Sequence, residues 1–449
     1  MSTQPTKSHL DRLTEALEGG EFQQIRYILN NSLKPTEAAR LIEKTPPKER
    51  QVLWGLISKD NEGEILQYLG DDVRAEILRR MDASEVLAIT ESLDVDDMVD
   101  VIQQLPDTVM RELLRIMDKQ NRKRIEKVLS YPEDTAGGLM NIDTVTIRPD
   151  ITVETALRYI RRHDEIPEMT DSLIVVSRKD VYIGFLPLTK LLVSDPSITV
   201  REIMTTDVEP IPADMPDDEV ARLFQEHDLV SAPVVDTKGK LLGRITIDDV
   251  VDVIREDADH SLMSMAGLDE DEDTFAPIMR TTRRRAVWLG INLLTAFLAA
   301  GVIGIFEETI DKVVALAVLM PIVASMGGIA GSQTLTLVIR GQALGHVERS
   351  NAGWLLNREL VVSSLNGLLW AAVVAVAAIA WFQDTTIGIV IAMAIVINLV
   401  AGAMAGTLLP LGLKAMGIDP ALAGSVLLTT ITDVVGFFAF LGLATLFYT

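Results

Sequence analysis

Three patterns in the sequence predict a multidomain chain. It has an all-α, short-helix superhelical N-terminal domain, a tandem pair of α/β modules, a linker helix and a five-helix α transmembrane domain. The patterns are an apolar repeat of twelve residues, a second repeat with an offset of 64, and five apolar stretches beyond residue 285. They divide the chain at 1–131, 132–256, 257–282 and 283–449.

In the first segment Leu69, Met81, Leu93, Leu105, Met117 and Leu129 recur at an interval of twelve, and Ile77, Ile89, Val101, Leu113 and Ile125 follow eight residues behind. A helix-breaking or capping residue (Gly70, Asp82, Asp94, Pro106, Asp118) comes directly after most of the first series, so each unit reads as a short helix plus a tight turn. Stacked units bury both rows along a common seam and wind into a small superhelical array. One unit carries Asp94, Asp96, Asp97 and Asp100, of which the last three can share a helix face. A charge run ordinarily marks a solvated face; this one is also a candidate cation surface.

The second repeat occupies 138–197 and 200–256, with Met140 matching Met204, Asp150 matching Asp214, and His163-Asp164 matching His227-Asp228. Each copy runs from an extended segment through a helix (154–163, 218–227) to a strand (Leu173-Ile174-Val175-Val176; Ala232-Pro233-Val234-Val235), then a Gly-led strand and a closing helix. Acid collects in the second copy: Asp214, Asp217, Asp218 and Glu219 at its first helix, then Asp248, Asp249, Asp252, Glu256, Asp257 and Asp259 along its last. The consecutive run Asp269-Glu270-Asp271-Glu272-Asp273 cannot converge on one ion from a helix and reads as a solvated linker. His163 and His227 read as ordinary helix-end residues.

Residues 286–306, 313–339, 360–383 and 385–413 carry no charged side chain, and 420–447 carries Asp433 alone. Each exceeds the ~18 apolar residues that suggest a membrane crossing. Arg283, Arg284 and Arg285 precede the first span, Arg340, Arg349 and Arg358 lie between spans two and three, and Lys414 follows span four, while Lys312 alone falls on the other side. By the positive-inside rule the N-terminal half is cytosolic and the C-terminus outside. Residues 1–20 are polar, so no cleavable signal peptide is expected.

Residues 281–449 hold 8 Lys+Arg and 8 Asp+Glu, so the whole net charge of −23 lies in residues 1–280. That surface disfavours nucleic acid and favours divalent cations as partners. The absence of cysteine excludes disulfides and thiolate metal sites, and abundant carboxylates suit Mg²⁺ or Ca²⁺ better than zinc or copper. A carboxylate near mid-bilayer costs roughly 2.5–3.5 kcal/mol on insertion scales unless it faces water, an ion or another protein group, so Asp433 points to an ion pathway. With five His and no Ser-His-Asp arrangement near the membrane, no reaction centre is expected and the chain does not read as an enzyme.

Ala232-Pro233-Val234-Val235-Asp236 and Gly243-Arg244-Ile245-Thr246-Ile247-Asp248-Asp249-Val250 resemble the CBS-domain pair. In CBS pairs that bind adenine nucleotides, the Gly-x-x-Thr-x-x-Asp element puts a hydroxyl and a carboxylate near the ribose. Gly243, Thr246 and Asp249 have that spacing, so the resemblance implies ATP as a candidate ligand of the second module. The first module reads Gly184-Phe185-Leu186-Pro187-Leu188-Thr189-Lys190 and lacks both groups.

Pro321-Ile322-Val323-Ala324-Ser325-Met326-Gly327-Gly328-Ile329-Ala330-Gly331-Ser332-Gln333 in span two and Thr430-Ile431-Thr432-Asp433-Val434-Val435-Gly436 in span five, with the order of domains, resemble the MgtE family of magnesium channels. The resemblance implies a homodimer in the inner (cytoplasmic) membrane, a pore lined by spans two and five, Asp433 holding a hydrated Mg²⁺ and Asp419 at the cytoplasmic pore mouth. The charge distribution adds an expectation: acidic faces of the helical array (Asp94, Asp97) and of the second module (Asp249, Asp252, Asp257) repel each other until Mg²⁺ bridges them, with Asp214 and Asp228 as further regulatory candidates. The resemblance implies that the helix after residue 257 then plugs the pore. The family's span-two motif usually reads Gly-Gly-Asn, and Ile329 stands here in place of the Asn. Gly327, Gly328 and Gly331 allow either close backbone approach or an unwound turn, whereas Gly402 and Gly406 read as helix packing. A secondary Mg²⁺ or Co²⁺ transporter coupled to H⁺ or Na⁺ would also keep a carboxylate in the membrane.

Overall fold

In the computed structural model, residues 22–448 are described apart from 91–92, 94, 164–165, 168, 269–272 and 349. Two compact units form, one holding residues up to 258 with 271–277, the other 259–270 with 278–449. The first unit opens with short helices α1 (Phe22–Asn31), α2 (Pro35–Glu43), α3 (Pro47–Trp54), α4 (Lys59–Gln67), α5 (Asp71–Leu78), α6 (Ala83–Thr90), α7 (Val95–Gln103), α8 (Asp107–Ile116) and α9 (Lys119–Val128). The twelve-residue period is one helix plus one turn. Asp118 caps α9 by accepting from the Gln120 and Asn121 amides, and Asp82 accepts from the Ser84 and Glu85 amides ahead of α6. Ile77, Ile89, Val101, Leu113 and Ile125 are all buried, as are Leu69, Leu105 and Met117, while Met81, Leu93 and Leu129 pack partly buried against them.

Two three-stranded sheets follow. β1 (Thr146–Ile147) runs parallel to β2 (Ser172–Val176), which pairs antiparallel with β3 (Tyr182–Pro187); β4 (Ile211–Pro212), β5 (Ser231–Val235) and β6 (Leu241–Thr246) repeat this order. Helices α10 (Val153–Ile160) and α13 (Asp217–His227) connect the first two strands of each sheet, α11 (Leu188–Val193) and α12 (Val200–Ile203) follow β3, and α14 (Ile247–Met265) follows β6. The two copies exchange their leading segments, which a simple tandem division does not anticipate. Asn141 bonds both ways with Arg244 of the second copy at 2.8 Å, and Thr205 bonds both ways with Phe185 of the first. Each exchange satisfies an edge strand that would otherwise stay unpaired. The glycines inside β3 and β6 make room: a Cβ at Gly184 would lie 2.5 Å from the Thr205 carbonyl oxygen, and one at Gly243 2.6 Å from that of Asn141.

The linker differs from the sequence reading in two respects. No separate helix begins at residue 257; α14 runs unbroken to Met265 and stops at Gly267, whose φ of 71° is left-handed and whose neighbour Leu268 donates back to the Met263 carbonyl. Nor is the acidic run solvated at its end. Asp273, 8% exposed, lies 2.9 Å from Nη1 of Arg50, itself 1% exposed and 3.1 Å from Glu76. A buried guanidinium is stable only with carboxylate partners, and Arg50 draws Asp273 inward.

The second unit contains five long apolar helices: α15 (Ile278–Ile305), then, after the short α16 (Glu307–Lys312), α17 (Ala315–Ala343), α18 (Ala352–Phe382), α19 (Thr385–Ala415) and α20 (Pro420–Tyr448). These are spans one to five, each of 28–31 residues, about 42–46 Å at 1.5 Å per residue and long enough to cross with tilt. Span four is central, packed by spans two, three and five, and span one lies along span five. Span two stays helical through its glycines. Gly327 and Gly331 meet Gly402 and Gly406 instead: a Cβ at Gly402 would lie 2.8 Å from the Gly327 carbonyl, and one at Gly406 2.7 Å from that of Gly331. Close approach, not an unwound turn, explains them.

Candidate functional site

Spans two and five stand side by side and leave an open groove of about 740 Å³. Ser325, Gly328, Ile329, Ser332, Gln333 and Thr336 line it from one face of α17, where the three-to-four residue spacing of a helix gathers them. Thr429 and Asp433, one turn apart, line it from α20. Asp433 is partly exposed, and among the described residues no protein group hydrogen-bonds or ion-pairs its carboxylate. Thr432, one residue earlier, is fully buried and donates to the Leu428 and Thr429 carbonyls, so the helix turns only Asp433 and Thr429 toward the groove. Ile329 is 57% exposed and gives the wall an apolar patch.

Asp419 caps span five. Its oxygens accept from the Ala421 amide at 2.8 Å and the Leu422 amide at 3.1 Å, with Pro420 filling the first helical position. His260 Nε2, from the last turns of α14, lies 3.3 Å from Asp419 Oδ2. Met265 packs with Leu335, Ile339, Ala405, Ala421 and Leu428. Residues 259–265 thus belong to the membrane unit, at the end of the spans where Asp419 lies.

The cytosolic acids are dispersed. Asp94 lies outside the described residues, and Asp97 accepts from Gln67 Nε2 at 2.7 Å. Asp214 is exposed before α13, Asp228 closes that helix with a left-handed φ of 51°, and Asp252 and Asp257 are exposed on α14. Asp249 accepts from the Thr246 hydroxyl at 3.1 Å and from its amide at 3.4 Å, so the Gly-x-x-Thr-x-x-Asp spacing first serves as a cap for α14. Among the described residues no three Asp, Glu or His side chains converge as one metal site.

A different set of acids crowds within the first unit. Partial desolvation raises the surface-exposed Glu133 carboxyl above its ordinary range, with Asp134 and Asp71 adding and Arg74 opposing. Burial raises Asp217 likewise, against a hydrogen bond from the Asp218 amide and with the charges of Asp134 and Asp218 adding. Asp252, whose side chain reaches the surface, is still raised by partial desolvation, with Arg255 and Arg74 opposing and Asp248 adding. Glu133, Asp134 and Asp71 were not legible as a group, since no periodicity or motif relates positions 71, 133 and 217. Like the other acids they form no three-ligand cluster among the described residues; what they share is a concentration of negative charge that a divalent cation would relieve.

Comparison with known proteins agrees with this architecture. Residues 320–443 match the MgtE family, described as a divalent cation transporter; residues 33–134 match the MgtE intracellular N domain; and 136–195 and 200–256 match the CBS domain. The magnesium transporter MgtE of Bacillus subtilis is 30% identical over 438 residues, covering 97% of this chain and 96% of that one. That of Thermus thermophilus is 30% identical over 439 residues, 97% of each chain. A crystal structure described as the cytosolic domain of the Mg²⁺ channel MgtE in complex with ATP aligns with a TM-score of 0.50 at 34% identity, covering 54% of this chain and 99% of that one. With an acidic helical domain, a CBS pair and a carboxylate-bearing groove between two of five spans, the chain belongs to the MgtE family of magnesium transporters.

Proposed function

We propose that the chain conducts Mg²⁺ as a channel built from two copies, with the groove between spans two and five as the ion path. The observation that carries this reading is Asp433, a carboxylate without a partner among the described residues, in a groove otherwise lined by hydroxyl, amide, small and one large apolar side chain. Mg²⁺ dehydrates reluctantly and is bound through one or two carboxylates plus retained waters. Asp433 would attract the hydrated ion, and Ser325, Ser332, Gln333, Thr336 and Thr429 would hydrogen-bond its water. The groove is open along one side, which a second copy would close. Relatives named as magnesium transporters support Mg²⁺ as the cargo.

Gating is part of the same reading. The repulsion around Glu133, Asp134 and Asp217 supports a cytosolic part that loosens when Mg²⁺ is scarce and tightens when Mg²⁺ binds there, together with Asp97, Asp214, Asp228, Asp249, Asp252 and Asp257. At 4 Å and an effective dielectric near 20, one like-charge pair amounts to about 4 kcal/mol before screening, so a few pairs bias a two-state equilibrium. The residues of α14 beside Asp419 would carry that change to the pore mouth. ATP is read as a ligand of the second CBS module, on the ground that a relative's cytosolic domain was crystallised with it.

Mg²⁺ entry into proteoliposomes with no H⁺ or Na⁺ gradient tests the channel reading. Entry driven by the Mg²⁺ gradient alone is expected. Entry that appears only after a second gradient is imposed would make the protein a coupled transporter.

A further inference from the structure

Span four is apolar around Asn398, and Asn398 is fully buried. Its Nδ2 donates to the Val323 carbonyl of span two at 2.8 Å, while its Oδ1, equally buried, accepts no hydrogen bond from any described residue. The amide sits between two glycines on the two groove-lining helices. A Cβ at Gly327 would lie 2.1 Å from Nδ2, and one at Gly436 2.6 Å from the same atom. Gly327 adjoins Gly328, which faces the groove, and Gly436 stands three residues after Asp433. The amide is therefore directly behind the groove wall, within one turn of Asp433 on α20.

A buried acceptor left without a donor is a standing penalty, and an apolar side chain of similar volume would avoid it. What an apolar side chain lacks is the donor that fixes Val323, a single point on span two, and so fixes the rotation of that helix as well as its distance. We propose that Asn398 is a positioning residue for ion passage, a post whose amide sets the separation and rotation of spans two and five at the level of Asp433, and with them the size of hydrated cation the groove accepts. The inference rests on reading the groove as the ion path. Val323 is held from behind, Gly328 and Ser325 on the same helix face forward, and a shift of span two displaces them relative to Asp433.

The test is the ratio of Mg²⁺ to Ca²⁺ entry into proteoliposomes, with assembly checked by size-exclusion chromatography. Asn398→Leu keeps the branching and the number of heavy atoms, is bulkier, and removes the donor; it is expected to change the ratio about fivefold, the factor that corresponds to one neutral hydrogen bond. The pair Asn398→Ala with Gly327→Ala refills the space without a donor, so it should assemble and still show the altered ratio. A packing role alone predicts that the double variant recovers the wild-type ratio, and that result would overturn the proposal, as would an unchanged ratio in Asn398→Leu. Asp433→Asn in the same assay separates the two levels: flux independent of Asp433 sinks the groove reading and this inference with it. Flux that depends on Asp433 with an unchanged ratio in the Asn398 variants sinks this inference alone.

Discussion

Arg50 Nη1 lies 2.9 Å from Asp273 Oδ2, a buried ion pair between residues 223 positions apart. It ties the segment just before span one to the helical array within the first unit. Removing one partner of a buried pair strands the other, so Arg50→Ala is expected to destabilise by about 3–5 kcal/mol. Asp273→Ala should cost less, because Glu76 still holds Arg50 at 3.1 Å. Thermal unfolding of the full chain, combined with proteolysis around 266–277, checks this; strictly additive effects in the double variant would contradict coupling.

The glycines inside β3 and β6 should each resist a methyl group. Gly243→Ala drives a Cβ toward the Asn141 carbonyl and Gly184→Ala toward that of Thr205, both backbone atoms that cannot rotate away. Each change is expected to cost about 1–3 kcal/mol and to speed amide exchange at the paired residue, Asn141 or Thr205. Hydrogen exchange read at those two segments distinguishes loss of the exchanged pairing from general loosening.

The crowded carboxylates predict a pH dependence of definite sign. Glu133 and Asp217 are raised in the folded protein, so the folded state binds more protons than the unfolded one between the ordinary carboxylate value and the raised one. Their unfavourable contribution is absent at low pH and grows as pH rises through that window. In Mg²⁺-free buffer the first unfolding transition should therefore move up as pH falls from neutrality toward the carboxylate range. The Glu133→Gln, Asp217→Asn double variant should flatten this response, and a response of unchanged steepness would place its origin elsewhere.

These relationships differ in how far the sequence foretells them. The twelve-residue rows are legible because a helix and a turn repeat at fixed length and every unit must bury the same two positions. Asp433 is legible because a lone carboxylate in an apolar stretch is costly unless it meets water or an ion. Asn398 was not, since one neutral amide in a long span carries no pattern, and its meaning comes from Gly327 and Gly436 meeting it from other helices. Asp273 reads as solvated among four neighbouring acids until Arg50 is placed beside it. The exchanged segments at Asn141 and Thr205 are backbone pairings between distant residues, which side-chain periodicity does not encode. The break in the linker had a local signal, Gly267, that the acidic run after it obscured.

On the proposed reading the Asp433 carboxylate, which no described protein group hydrogen-bonds or ion-pairs, holds the ion during passage. The most direct measurement is Mg²⁺ entry into proteoliposomes by wild type and Asp433→Asn, at equal incorporation and driven by the Mg²⁺ gradient alone. The isosteric, uncharged variant is expected to assemble normally and to lose most of its flux; equal flux in the two proteins would remove Asp433 from the ion path.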